Sequence, residues 1–418
     1  MLLPLFINKL FTKNFHNKAH YYLAIIIALC LPLVRLTPVF ISLFLLNWLL
    51  EGDFKAKFQS VLKSKSALLF VSFFLIHVAG LSYTENMDAG WFDLQVKLSL
   101  FVFPIIIVSR PFNQEQIKNM FLAFVIGAVV CSLILLIRAF YTYFVFGENN
   151  FFYLQLSFFT HPSYIAMYFN LAVAWLLLNL FKKQEEYNRS TVLLSIVAIL
   201  FFTFMIVLLS SKMGLLVLFL LFIGFAIYFI VSKKKYVMGF VGLLVIISSV
   251  FSLIRFVPEI GNRIKTVFTA ISSTSNNQEE SESTAVRMLI WSAANQVISE
   301  NMLIGTGTGD SKESLIVEYE KRGMTGALEH KLNAHNEYYQ VFVSLGIIGL
   351  IILMLTLLLP LYNAFTSSNA IYVLFLLIII LNFIPESMFE TQAGVIYFAF
   401  FNSVLCFNTK YTTNHSKN

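Results

Sequence analysis

His335 and Arg287 are the side chains whose chemistry most needs explaining. His335 lies in Asn333-Ala334-His335-Asn336-Glu337-Tyr338-Tyr339-Gln340, where a long polar segment gives way to an apolar run from Val341 to Leu361. A side chain at such a junction faces the unpaired N–H groups of a helix start, whose partial positive charge disfavours imidazolium and favours bound anions. The position suits a neutral base beside an anion. Arg287 belongs to the same polar segment, on a stretch from about Ala285 to Ser299 in which Arg287, Trp291, Ala294 and Ile298 share one helical face. Ser283 or Thr284 can cap that helix. An arginine on an otherwise apolar face requires an anionic partner, either a loop acid such as Glu329 or a ligand. The expectation is that His335 and Arg287 serve one site just outside a membrane.

Other candidates fall at similar boundaries. His161 precedes Pro162, which is tolerated in a first helical turn, and reads as a structural residue or a substrate contact. Lys212, in Ser210-Ser211-Lys212-Met213-Gly214, is either a snorkelling lysine or a phosphate clamp. Glu386 and Glu390 lie in the link between the last two apolar runs, where they orient His335, bind sugar hydroxyls or lie solvated. Gly305-Thr306-Gly307-Thr308-Gly309 lacks the G-x-G-x-x-G spacing and reads as a flexible turn into Asp310-Ser311-Lys312-Glu313, a capping box whose helix stops at Gly323. Glu329-His330 and His335-Asn336-Glu337 lack the i, i+4 histidine spacing of a helical metal site, so no metal or other cofactor is expected. Cys30, Cys131 and Cys406 fall in apolar runs and read as packing residues.

The elements that position these groups follow from composition. The chain has 418 residues, 58% hydrophobic and 12% charged, with mean hydropathy +0.78, which excludes a soluble multidomain protein. It reads as an all-α polytopic membrane protein with about twelve spans, the ninth at Tyr236 to Phe256 and the tenth at Val341 to Leu361. One large helical loop lies between these two, giving segments 1–256, 257–336 and 337–418. No cleavable signal peptide is evident in Met1 to His20. The +7 charge is not a nucleic-acid signal, because its cations are parcelled between spans. Lys9, Lys13, Lys18, Lys55, Lys57, Lys63, Lys65, Arg110, Lys118, Lys182, Lys183, Arg189 and Lys233-Lys234-Lys235 gather on one side, which the positive-inside rule makes cytoplasmic. Both termini then lie inside and the long loop outside. Arg35, His77, Arg138, His161, Lys212, Arg255, Arg287, His335, Glu386 and Glu390 all fall near outer ends, suggesting a polar cavity there.

Taken in order, Arg287-x-x-x-Trp291, Gly305-x-Gly307-x-Gly309, His335-Asn336-x-Tyr338-x-Gln340 and Gly346-x-x-Gly349-Leu350 resemble the O-antigen ligase and polymerase superfamily. His161-Pro162 and Ser210-Ser211-Lys212 extend the likeness. The resemblance implies a metal-independent glycosyltransferase of the GT-C type. Its glycan donor would be undecaprenyl-diphosphate-linked, its acceptor in ligases lipid A-core, and its active site on the periplasmic face of the inner membrane. By position, His335 matches the family's essential histidine and Arg287 its loop arginine, while Lys212 stands where a second arginine is usual. Lysine keeps the charge but loses the fork that grips phosphate oxygens in pairs. Asn336, Tyr338, Trp291, His161, Glu386 and Glu390 are then candidate substrate contacts. A polymerase and a protein O-oligosaccharyltransferase use the same kind of donor and remain alternatives. A transporter or flippase would place its charges at mid-membrane within repeated halves, which this chain lacks.

Overall fold

A computed structural model describes residues 12–181, 188–231 and 284–408, with scattered positions between 234 and 261. Most of the expected ninth span and all of Ser272 to Ser283 lie outside the described residues. The first part of the chain forms α1 (Lys13–Cys30), α2 (Thr37–Leu50), α3 (Phe54–Lys63), α4 (Lys65–Gly80), α5 (Met87–Lys97), α6 (Ser99–Ser109), α7 (Gln114–Phe146), α8 (Tyr153–Leu156), α9 (Pro162–Phe181), α10 (Arg189–Leu209) and α11 (Lys212–Val231). The second part forms α12 (Thr284–Glu300), α13 (Ser311–Lys321), α14 (Thr325–Glu329), α15 (Glu337–Thr366), α16 (Ala370–Asn382) and α17 (Gln392–Cys406). No strand occurs among the described residues.

Seven stretches among the described residues are long and apolar enough to cross a membrane: Lys65–Tyr83, Met87–Ser109, Gln114–Phe146, Pro162–Phe181, Arg189–Leu209, Lys212–Val231 and Glu337–Thr366. Thr37–Leu50, Ala370–Asn382 and Gln392–Cys406 are apolar but shorter. The 13 residues of α16 rise only about 20 Å at 1.5 Å each, short of a hydrocarbon core about 30 Å thick. Among the described residues, length and apolarity alone therefore account for fewer spans than the total of about twelve expected of the whole sequence.

Successive crossings sort the connections to two ends. At one end His20 Nε2 lies 3.1 Å from the Arg110 carbonyl, the Trp48 indole donates to Ser109 Oγ at 2.8 Å, and Gln114 Nε2 donates to Asn408 Oδ1 at 3.1 Å. At the other end Thr308 Oγ1 donates to the His77 carbonyl at 2.7 Å and Ser163 Oγ to Glu386 Oε1 at 3.1 Å. The centre between them is aromatic. In α17 every residue from Ala393 to Leu405 is buried, Phe401 packs on Phe124 and Phe121, and the Tyr168 hydroxyl donates to the Ala393 carbonyl at 2.8 Å. This packing fixes the height of the Pro385 to Thr391 link.

The described part of the large loop is a small helical lobe with its own core. Val286, Ile290, Ala293, Ala294, Val297 and Ile298 of α12 pack with Leu315, Tyr319, Met324, Ala327, Ala334 and Val343. The buried stripe is displaced from the expected face: Ala294 and Ile298 belong to it, whereas Arg287 and Trp291 sit at its half-buried edge. Gly323, at φ +68°, ends α13 as expected.

Two local expectations are corrected. Asp310 does not form a capping box; its carboxylate accepts from the Glu85 and Asn86 N–H groups, both at 2.8 Å, and so ties α13 to the start of α5. The Gly305 to Gly309 segment is no flexible turn. Its Thr306 and Gly307 N–H groups donate to the Val343 and Ser344 carbonyls at 2.8 and 2.9 Å, at a break in α15 where Gly346 has φ +64° and ψ −162°. A Cβ on Gly305 would strike the Ser344 backbone, and one on Gly346 the Leu303 backbone. Two main chains touch there, and only glycine permits it.

Candidate active site

Glu386 is the centre on which the expected site residues converge. Its Oε1 accepts from Arg287 Nη2 at 3.2 Å and from Ser163 Oγ at 3.1 Å, and lies 3.6 Å from His161 Nδ1. Its Oε2 lies 3.9 Å from His335 Nδ1, an electrostatic rather than a hydrogen-bonding distance. Burial works to raise this carboxyl's pKa, but His335, His161 and the Arg287 guanidinium facing it outweigh burial and hold it down at about 2. Arg287 thus pairs with Glu386, not with a loop acid such as Glu329.

Four separate elements deliver these groups. Arg287 comes from the first turn of α12, His161 from the start of α9, and Glu386 from the link between α16 and α17. His335 comes from the turn into α15, two residues before that helix begins. His335 adopts φ +44°, a conformation that costs a non-glycine residue of order 1 kcal/mol and has to be held by its surroundings. The holding bonds are on either side. The Ala334 N–H donates to Gln340 Oε1 at 3.1 Å, the Asn336 N–H to Ser387 Oγ at 3.1 Å, and Asn336 Oδ1 caps α15 by accepting from the Tyr339 N–H at 3.1 Å. The Trp291 indole donates to the Ala334 carbonyl at 3.1 Å and stacks on Tyr339 with ring centroids 6.0 Å apart. One turn of α12 thereby carries Arg287 to the carboxylate, and the next steadies the loop that carries His335.

Lys212 lies beside this group. Its ammonium donates to Thr284 Oγ1 at 3.0 Å, at the first residue of α12 and one turn before Arg287. Ser211 Oγ, next to it in sequence, accepts from the Gly214 N–H at 3.2 Å and reaches Ser163 Oγ at 3.5 Å. A lysine and an arginine therefore meet at the N-terminal end of a 17-residue helix, whose dipole favours an anion there. Arg287 Nε is buried with no hydrogen-bond partner, a donor left over after Nη2 is given to Glu386.

Two candidates are engaged elsewhere. Glu390 is held at 3.1 Å by Lys97, which also pairs with Asp93, so it does not join the Glu386 cluster. The Tyr338 hydroxyl donates to the Ile380 carbonyl at 3.0 Å and its ring packs on Phe383. Ser163, which bridges Glu386 to Ser211, was not singled out from sequence. Its signal was its place in the same first turn as His161. Tyr153 was missed too; its hydroxyl lies 3.5 Å from His161 Nε2.

Residues 194–354 match the Wzy_C family model, described as O-Antigen ligase. That stretch holds Lys212, Arg287, Trp291, the glycine segment, His335 and Gly346; His161 and Glu386 fall outside it. No curated protein matches the chain. Two of the four elements that build the cluster, α12 and the turn into α15, lie in the matched stretch, and this part of the chain is similar to the O-antigen ligase family.

Proposed function

We propose that this protein is an O-antigen ligase-type glycosyltransferase that moves a glycan from undecaprenyl diphosphate to lipid A-core on the periplasmic face of the bacterial inner membrane. The observation that carries the reading is the convergence of Arg287, His161 and His335 on Glu386, with Lys212 beside the α12 N-terminus. A sugar transferred outside the cytoplasm must bring its own leaving group, and a lipid diphosphate is one. As the glycosidic bond breaks, negative charge grows on the phosphate oxygens. Arg287, with its spare Nε, and Lys212 stabilise that charge, each such donor being worth about 3 to 4 kcal/mol in a dry site.

His335 takes the proton of the acceptor hydroxyl. Its Nδ1 faces the ionised Glu386, which favours the tautomer with hydrogen on Nδ1 and leaves the Nε2 lone pair as the base. Direct displacement then inverts the anomeric centre. His161, Trp291 and Asn336 line or steady the same place, and Tyr338 and Glu390 contribute through the helices they pin. The cations at the opposite end support a cytoplasmic location for that end and for both termini.

The test is transfer by purified protein in liposomes supplied with an undecaprenyl-diphosphate-linked glycan and lipid A-core. Glycan on the core supports the ligase reading. Growth of the lipid-linked glycan instead would make the protein a polymerase, and no transfer to any glycan acceptor would reject both. Lipopolysaccharide from a deletion strain gives the matching result in the cell: bare core for a ligase, core with a single repeat for a polymerase.

A further inference from the structure

Met302, Leu303 and Ile304 form the turn after α12, and they are 56, 70 and 52% exposed. Three consecutive large apolar side chains at that exposure are out of place on a water-facing loop. The turn's backbone is rigidly placed. Ile347 N donates to the Met302 carbonyl at 2.9 Å, the Tyr83 hydroxyl donates to the Ile304 carbonyl at 2.6 Å, and the glycine contacts at Gly305 and Gly346 bring it against the break in α15.

Beyond that break α15 presents Ile348, Ile351 and Leu355 outward, at the i, i+3, i+7 spacing of a single stripe, and α4 presents Leu75 and Val78. Both helices belong to stretches long and apolar enough to cross a membrane. The exposed turn is therefore continuous with a surface that already faces lipid.

We infer that the Met302-Leu303-Ile304 turn inserts into the bilayer interface and anchors the α12–α14 lobe to the membrane. The occupant of the apolar patch is lipid, because the patch continues a lipid-facing stripe on one side and gives way on the other to Glu300 and Ser82, which are exposed. The anchor has a geometric consequence. Arg287 lies on α12 and the His335 loop is tied to α12 through Trp291, so a turn fixed at the interface fixes the height of both above the hydrocarbon. On the reading proposed above, that is the height at which a lipid's diphosphate lies.

The test does not depend on that reading. A nitroxide is attached to Leu303→Cys in full-length protein whose three native cysteines are replaced by serine, and to Lys321→Cys, an exposed site on α13 of the same lobe, as the aqueous control. Collision with oxygen and with a water-soluble nickel chelate is measured in liposomes. The expected result is that oxygen dominates at position 303 and nickel at 321. Equal nickel access at both positions overturns the proposal. A label at 303 shielded from both reagents also overturns it, since that would place protein, such as a second copy of this chain, on the patch. If insertion is found while glycan transfer is not, the anchor stands and the glycosyltransferase reading falls.

Discussion

Two clusters at opposite ends of the helices are built from nearly the same parts. At one end Glu51 pairs with Arg110 and, at 3.0 Å, with Lys57, next to His16 and His20. At the other end Glu386 pairs with Arg287, next to His161 and His335. The acids and arginines do not distinguish them, for both pairs are similarly shielded, and each arginine keeps one buried nitrogen without a partner, Arg110 Nη1 and Arg287 Nε. The histidines do. His16 and His20 are each 3% exposed; His16 Nδ1 meets Asn47 Oδ1 at 2.9 Å, and His20 is sandwiched between Phe44 and Phe112. The side chains of His161 and His335 are 28 and 24% exposed and stand 3.6 and 3.9 Å from their carboxylate. The histidines of the first cluster are enclosed by protein, whereas those of the second are partly exposed.

That contrast separates catalytic from structural loss. His335→Ala is expected to lower glycan transfer by about 10² to 10⁴ with little change in thermal midpoint. His20→Ala leaves a gap between two rings and should do the reverse, and the pair is checked by transfer rate and thermal unfolding on the same preparations. Glu51→Gln strands Arg110 and Lys57 in a shielded place, where breaking a buried pair typically costs about 3 to 5 kcal/mol. Its folded fraction should transfer normally. Arg287→Ala is expected to slow transfer by about 10² to 10³, and Arg287→Lys to recover only part, since a point charge lacks the paired donors.

A smaller effect follows from the depressed Glu386 pKa. A carboxyl held at about 2 in the folded protein, against about 4.3 when unperturbed, stabilises the fold fully above the unperturbed value. That contribution is lost as pH falls from there toward 2. Thermal midpoints of Glu386→Gln should therefore fall less steeply than wild type over that window, and identical acid limbs would remove Glu386 from the account. The smallest effect belongs to Lys212→Arg, which places a second fork beside the α12 N-terminus and, on the proposed function, should lower KM for the lipid-linked donor a few-fold with kcat little changed.

Much of the site's neighbourhood was legible in the sequence, because alternation of crossings with cation-rich connections puts His161, Lys212, Arg287, His335 and Glu386 at one end whatever the packing. Pairing was not legible. Glu329 and Glu386 are both acids at the same end, and only the depth of the Pro385 to Thr391 link, set by the packing of α17, decides that Glu386 meets Arg287. Glu390 lies four residues on and is captured by Lys97, whose burial could not be foreseen from a lysine placed at a loop edge. The glycine segment misled for a related reason. Glycine permits both mobility and close contact, and the contact became visible only with the break at Gly346, far away in sequence.

The most direct test is equilibrium binding of undecaprenyl diphosphate to purified protein, compared across Arg287→Ala and Arg110→Ala. The account predicts that Arg287→Ala weakens binding about tenfold or more, as expected for losing a charge-assisted contact worth about 1.5 to 3 kcal/mol, while Arg110→Ala binds as wild type does. Unchanged affinity in Arg287→Ala, or an equal loss in both variants, would contradict it.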